Sequence, residues 1–155
     1  MRRCADVVAD SDPLVNEIFI EAEPELVFRF LTESDLMRRW MGVEVELDPK
    51  PGGIYRVSPS GVETALGYYV EVVPNRKIAF TWGYESAHMG VPAGSTLVEI
   101  TLEDRKPGTL VRLVHHGLPT DEAKRAHDDG WQHYIARLKT AAEGADPGPD
   151  SYVEA

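Results

Sequence analysis

The stretch HDDGWQHYIARL, residues 127–138, decides how the chain folds. A glycine sits beside a tryptophan with a histidine on either side, which reads either as a metal or acid/base site or as the packing face of a long helix. At ~100° per residue, Ala123, His127, Gly130, Trp131, Tyr134, Ile135, Leu138, Ala141 and Ala142 share one broad face. Asp129, Gln132, His133 and Ala136 fall outside it. His127 and His133 then point roughly 120° apart, so one helix does not aim both at the same metal. Thr120 is an N-cap residue, Asp121 and Glu122 lie where the helix dipole favours anions, and Gly144 closes the far end. Gly130 costs ~1 kcal/mol relative to alanine in a helix interior. On the apolar face it allows a close approach to a sheet or leaves space above itself.

Outward from this helix, nearly everything from Val43 to His116 reads as strand. VEVELD alternates, PKPGG turns the chain and IYRVS runs back. SPSG leads into ETALGYYVEVV, where Leu66, Tyr68, Val70 and Val72 are in step and placed inward. PNRK is a turn led by proline. IAFTW puts Ile78, Phe80 and Trp82 on one face, and RKPG joins the strands TLVEITLED and TLVRLVHH. Connections this short dictate antiparallel pairing. Upstream, VNEIFIEA alternates except at Phe19. Pro24 opens a short helix with Leu26, Val27, Phe30 and Leu31 on its apolar face. SDLMRRWM is a second short helix, capped by Ser34 or Asp35. The predicted class is α+β: a curved antiparallel sheet of six to seven strands around a long C-terminal helix, with two short helices after the first strand. A flexible leader is expected over 1–13, one folded domain over 14–144 and a disordered tail over 145–155.

Composition narrows the function. The chain has 155 residues, 43% apolar, with a net charge of −10. That charge opposes nucleic acid, whose phosphates call for Lys and Arg, and anionic membrane surfaces. No run approaches the ~20 apolar residues of a membrane span, and the start lacks an apolar segment of signal-peptide length. A cytoplasmic location is the expectation. The one cysteine, Cys4, rules out an internal disulfide framework. There is no HExxH, CxxC or GxSxG, and Gly52–Gly53 lack the strand–loop–helix setting of a phosphate loop, so no metal and no cofactor is expected.

Five blocks now stand in order: EAEPELVFRFLTESDLMRRWMG, PKPGGIYRV, GYYVEVVPNRKIAFTW, LVEITLEDRKPGTLVRLVHHGLP, and HDDGW with ARL. Together they resemble the START-like (SRPBCC) superfamily, in the branch of homologues of the activator of heat-shock-protein-90 ATPase. The resemblance covers about 15–144. It implies the helix-grip fold and a deep, mostly apolar pocket between the last helix and the sheet. It also implies hydrophobic ligands, with cyclisation or hydrolysis in some members.

The candidate ligand-binding residues are Trp40, Tyr55, Tyr68, Trp82, His115, His127, Trp131, Tyr134 and Leu138. Trp131, Tyr134 and Leu138 are expected to face Tyr68, Trp82 and His115 across a cavity. His115 is in step with Val111 and Leu113 and points inward, whereas His116 points outward into solvent. A buried neutral imidazole, His115 or His127, is the expected polar anchor or acid/base group. Asp129 and His133 read as an exposed pair, and residues 83–94 as a loop at the cavity mouth. The leading function is binding of a hydrophobic or aromatic small molecule. The alternatives are an enzyme on the same scaffold (cyclase, dehydratase or hydrolase) and a co-chaperone-like interaction module. Homodimerisation stays open.

Overall fold

The computed structural model describes residues 12–58 and 63–150. Seven strands form one antiparallel sheet: β1 (Leu14–Ile20), β2 (Glu44–Leu47), β3 (Ile54–Ser58), β4 (Ala65–Val73), β5 (Lys77–Trp82), β6 (Thr96–Arg105) and β7 (Gly108–His116). Their order is β1-β7-β6-β5-β4-β3-β2, so each strand from β2 to β7 pairs with its neighbour in sequence and β1 closes against β7. Two short helices, α1 (Pro24–Thr32) and α2 (Ser34–Met37), follow β1. The helix α3 (Asp121–Ala142) runs 22 residues without a break at Gly130. This is the helix-grip α+β architecture expected from the sequence.

Local chemistry sets the helix ends. The Ala123 amide donates to Thr120 Oγ1 at 3.0 Å, satisfying one of the N–H groups that a first turn leaves free. Gly144, at φ +95°, ends the helix in a left-handed conformation that costs glycine nothing. Pro24 occupies the first turn of α1 as expected. At α2 the N-cap residue is Glu33, and its side chain makes no capping bond, so neither Ser34 nor Asp35 plays that part.

One inner face of the sheet carries the core. Along β7, Val111, Leu113 and His115 point inward, and along β6 Val98, Ile100 and Leu102 do the same. Strand β4 breaks the expected parity. Its register against β5 shifts between Tyr69 and Glu71. A β-bulge puts two residues opposite one and switches the face of everything beyond it. Tyr69 and Val72 therefore both pack into the main core, while Val70 packs against Ala79 and Leu97 on the other face.

The end of the chain lies against α3. Arg137 donates to the carbonyls of Pro147 and Gly148 at 3.2 and 3.0 Å, and to that of Trp40 at 2.9 Å. The Asp150 carboxylate accepts from Tyr134 Oη at 2.6 Å and lies 2.9 Å from His133 Nε2. Residues 145–150, placed by the sequence in a disordered tail, are thus tied to the helix.

Candidate functional site

The inner face beneath α3 divides into two halves. The first is built around two histidines. His115 comes from β7 and His127 from the second turn of α3, and their ring centroids lie 5.2 Å apart. Both are buried. Trp131 Nε1 donates to His115 Nδ1 at 3.0 Å. An indole nitrogen only donates, so Nδ1 holds a lone pair and the proton of the neutral ring sits on Nε2. That Nε2–H donates to Thr96 Oγ1 at 2.9 Å, and Thr96 passes its own proton to the Trp82 carbonyl at 2.8 Å.

His127 has the opposite tautomer. Its Nδ1 lies 2.8 Å from the Ala123 carbonyl, which only accepts, so Nδ1 carries the proton. Nε2 is left to accept, from Tyr84 Oη at 3.0 Å and from Trp82 Nε1 at 3.3 Å. Protonating either ring would set N–H against N–H at an indole. The titration directions agree. Burial pushes His115 well down, and a proton on His127 or His116 would oppose its charging further. Burial also lowers His127; the bond to Ala123 opposes this and the charge of His88 assists it. Both imidazoles are neutral, and every ring nitrogen has a protein partner.

Several expectations are corrected here. Trp131, Trp82 and His115 do not face one another across a gap: the two indoles lie 5.1 Å apart, centroid to centroid, and Trp131 bonds directly to His115. Tyr134 is buried, but its hydroxyl turns to Asp150. Trp40 is fully enclosed and donates to the Phe30 carbonyl at 2.9 Å. His133 lies beside Asp150 rather than making the exposed pair with Asp129. Leu138 is in the core.

The second half is built from tyrosines. Tyr55 stacks on Phe80, with centroids 3.9 Å apart and planes at 10°, and meets Tyr69 edge-on at 5.8 Å. Tyr68, expected here, is 46% exposed, and Tyr69, one residue on, is 0% exposed. The bulge after Tyr69 is the reason: parity counted back from Val72 lands on the wrong tyrosine. Burial pushes the Tyr55 phenol well up and Tyr69 up as well, the latter helped by the Asp48 charge, so both keep their protons. The Tyr69 hydroxyl is buried with no hydrogen-bond partner.

The loop after β5 completes the first half. Gly83 is required there, because a Cβ would meet the Pro92 carbonyl oxygen at 1.7 Å. Ala87 and Met89 both sit at φ +57°, a left-handed conformation rare outside glycine. Tyr84 reaches from this loop to His127, and its ring lies 5.4 Å from that of His88. Tyr84 and Thr96 escaped the sequence reading although a signal was present. Tyr84 continues the Phe80–Trp82 alternation, and Thr96 is in step with Val98 and Ile100. No group of three or more His, Cys, Asp or Glu among the described residues is placed to hold a metal ion. No helix among them is long and apolar enough to cross a membrane.

Comparison with known families settles the lineage. The family described as activator of Hsp90 ATPase homolog 1-like protein matches residues 21–143. The chain belongs to this family. An AHSA1-like protein from Rhizobium etli, solved by NMR, is 41% identical over 93% of this chain and 89% of its own, with a TM-score of 0.73. The Aha1 dimer from Colwellia psychrerythraea shares the fold at 20% identity, covering 86% of this chain and 97% of that one, TM-score 0.71. So does DynU16 of the dynemicin biosynthetic locus, at 19% identity and TM-score 0.77, covering 92% of this chain and 51% of that one. No curated protein matches the sequence. The AHSA1-like family falls within the START-like, SRPBCC-type group that the sequence blocks resemble.

Proposed function

We propose that this AHSA1-like protein binds an uncharged hydrophobic or aromatic small molecule between α3 and the inner face of the sheet. One observation carries the reading. The inner face is an array of aromatic rings, and the buried polar residues accompanying it include no carboxylate, lysine or arginine among the described residues. Such a surface suits aromatic stacking and edge contacts, and it penalises a charged guest. The origin of the fold relative DynU16 in a biosynthetic locus is in keeping with a small-molecule role.

A catalytic reading has one observation of its own. The Tyr84 hydroxyl lies 3.0 Å from a His127 nitrogen whose ring is oriented by the Ala123 carbonyl. That is the arrangement of a hydroxyl beside an oriented base. Against it, every nitrogen of both buried rings is engaged within the protein. A co-chaperone role rests on the family name alone. The Colwellia relative is a dimer, which motivates a homodimer proposal for this chain that light scattering would test.

Titration with uncharged polycyclic aromatics, followed by tryptophan fluorescence and calorimetry, tests the binding reading. Saturable binding at one molecule per chain is the expected result. Heat and fluorescence changes no larger than those given by a charged analogue such as a naphthalene sulfonate would remove it. Turnover of a bound compound that disappears in His127→Ala would favour the enzyme instead.

A further inference from the structure

We infer that Tyr69 is the residue that selects the ligand, by donating its phenol proton to a neutral carbonyl oxygen on a planar aromatic compound. This rests on the binding reading above and names the chemistry that the site would choose. The sequence points to His115 or His127 as the anchor, but the structure leaves neither of these two rings free. His115 and His127 both spend their ring nitrogens on Trp131, Thr96, Ala123, Tyr84 and Trp82.

Tyr69 is the opposite case. Its side chain is 0% exposed and its hydroxyl has no partner. A buried hydroxyl that has left water without gaining a bond carries an uncompensated desolvation penalty, and native proteins keep few such groups. The ring is framed edge-on by Tyr55 at 5.8 Å and Phe80 at 6.1 Å. Those two rings stack on each other at 3.9 Å, so the Tyr69 ring sits in a wholly aromatic frame.

Three features fix the chemical class of the guest. Burial keeps the phenol protonated, so it donates. The buried polar residues of this face carry no positive side chain to neutralise a carboxylate or phosphate, so the acceptor is uncharged. The aromatic frame favours a planar, π-faced partner. A fused-ring ketone satisfies all three.

The test uses the full chain and a shape-matched pair of probes, 9-fluorenone and fluorene, titrated calorimetrically into wild type and Tyr69→Phe. Wild type is expected to bind the ketone about tenfold more tightly than the hydrocarbon, the worth of one hydrogen bond. Tyr69→Phe is expected to bind both alike while its thermal midpoint stays at or above that of wild type, since an unpaired hydroxyl has been removed. Discrimination that survives in Tyr69→Phe, or is missing from wild type, overturns the anchor and leaves the binding reading standing. A lowered midpoint in Tyr69→Phe overturns it too, because the hydroxyl then has a structural partner. If wild type binds neither probe, both readings fall together.

Discussion

His115 and His116 are neighbours in sequence and live in opposite chemistries. His115 points to the inner face, 1% exposed, between an indole N–H and a threonine hydroxyl, with no carboxylate among its partners. His116 points to the other face, and its Nε2 lies 2.6 Å from Glu99. It is 7% exposed, so the sequence expectation of a solvated side chain is wrong, because Glu99 and its neighbours cover it. Glu99 in turn lies 3.2 Å from Lys77, which also reaches Glu71 at 2.9 Å. Burial pushes the Glu99 carboxyl up, but the bonds from His116 and Lys77 outweigh it and hold the group below its ordinary value. The difference teaches that a sheet is a dielectric partition. One residue step moves an imidazole from a neutral dipole network into an ionic one.

The strongest way to break the comparison is to cut the inner network at its indole. Trp131→Ala should destabilise by about 3–5 kcal/mol, combining lost burial, a cavity and an undonated His115 Nδ1. A urea midpoint close to that of wild type would mean the indole is not part of a packed core. Next in size, His115→Leu keeps much of the volume but leaves the Trp131 N–H buried and unpaired. It should cost about 1–3 kcal/mol. Equal costs for His115→Leu and His116→Leu would erase the contrast between the two faces.

Acid sharpens the contrast by separating the faces on the pH axis. His115 and His127 titrate below their ordinary 6.5 in the folded chain. Above 6.5 they are neutral folded or unfolded. As pH falls below 6.5, the unfolded chain takes up protons that the folded pair refuses. Stability then drops, by at most about 1.4 kcal/mol per pH unit for each ring. Glu99, held below its ordinary 4.5, contributes stability that is present above 4.5 and is lost as pH falls through its lowered value. Urea midpoints measured from pH 8 down to pH 4 should therefore begin to fall near 6.5, and His115→Leu should flatten that first descent. A midpoint constant down to pH 5 would contradict neutral inner histidines. The smallest effect is expected from His116→Leu. Glu99 keeps Lys77, and leucine also removes a buried imidazole Nδ1 that has no partner, which offsets the lost bond to Glu99 and leaves a net cost of about 1 kcal/mol or less. A loss as large as that of the Trp131 variant would show that His116 organises the outer face.

Much of this was legible in the chain itself, for physical reasons. Alternation over Val111, Leu113 and His115 reports burial directly, and the capping residues Thr120 and Gly144 mark the ends of α3. Where reading failed, the cause was not local. The bulge after Tyr69 carries no signature in GYYVEVV, so counting in twos selects Tyr68. The turn of the Tyr134 hydroxyl towards Asp150 depends on a tail held by Arg137 from the same helix. The tautomers of the two histidines depend on which donor-only and acceptor-only groups the fold brings within 3.3 Å, and no spacing in one dimension encodes that.

The crossing of Trp82 and Trp131 also has an optical meaning. Their rings lie 5.1 Å apart, with planes inclined at 51°. Two identical chromophores that close and that oblique share their excitations, and the coupling appears as a pair of oppositely signed circular-dichroism bands. Trp40, the third indole, donates to the Phe30 carbonyl and makes no ring contact with Trp82 or Trp131. The far-ultraviolet spectrum thus contains a built-in gauge of the distance between α3 and β5. A guest that wedges the two elements apart would shrink that couplet without any label.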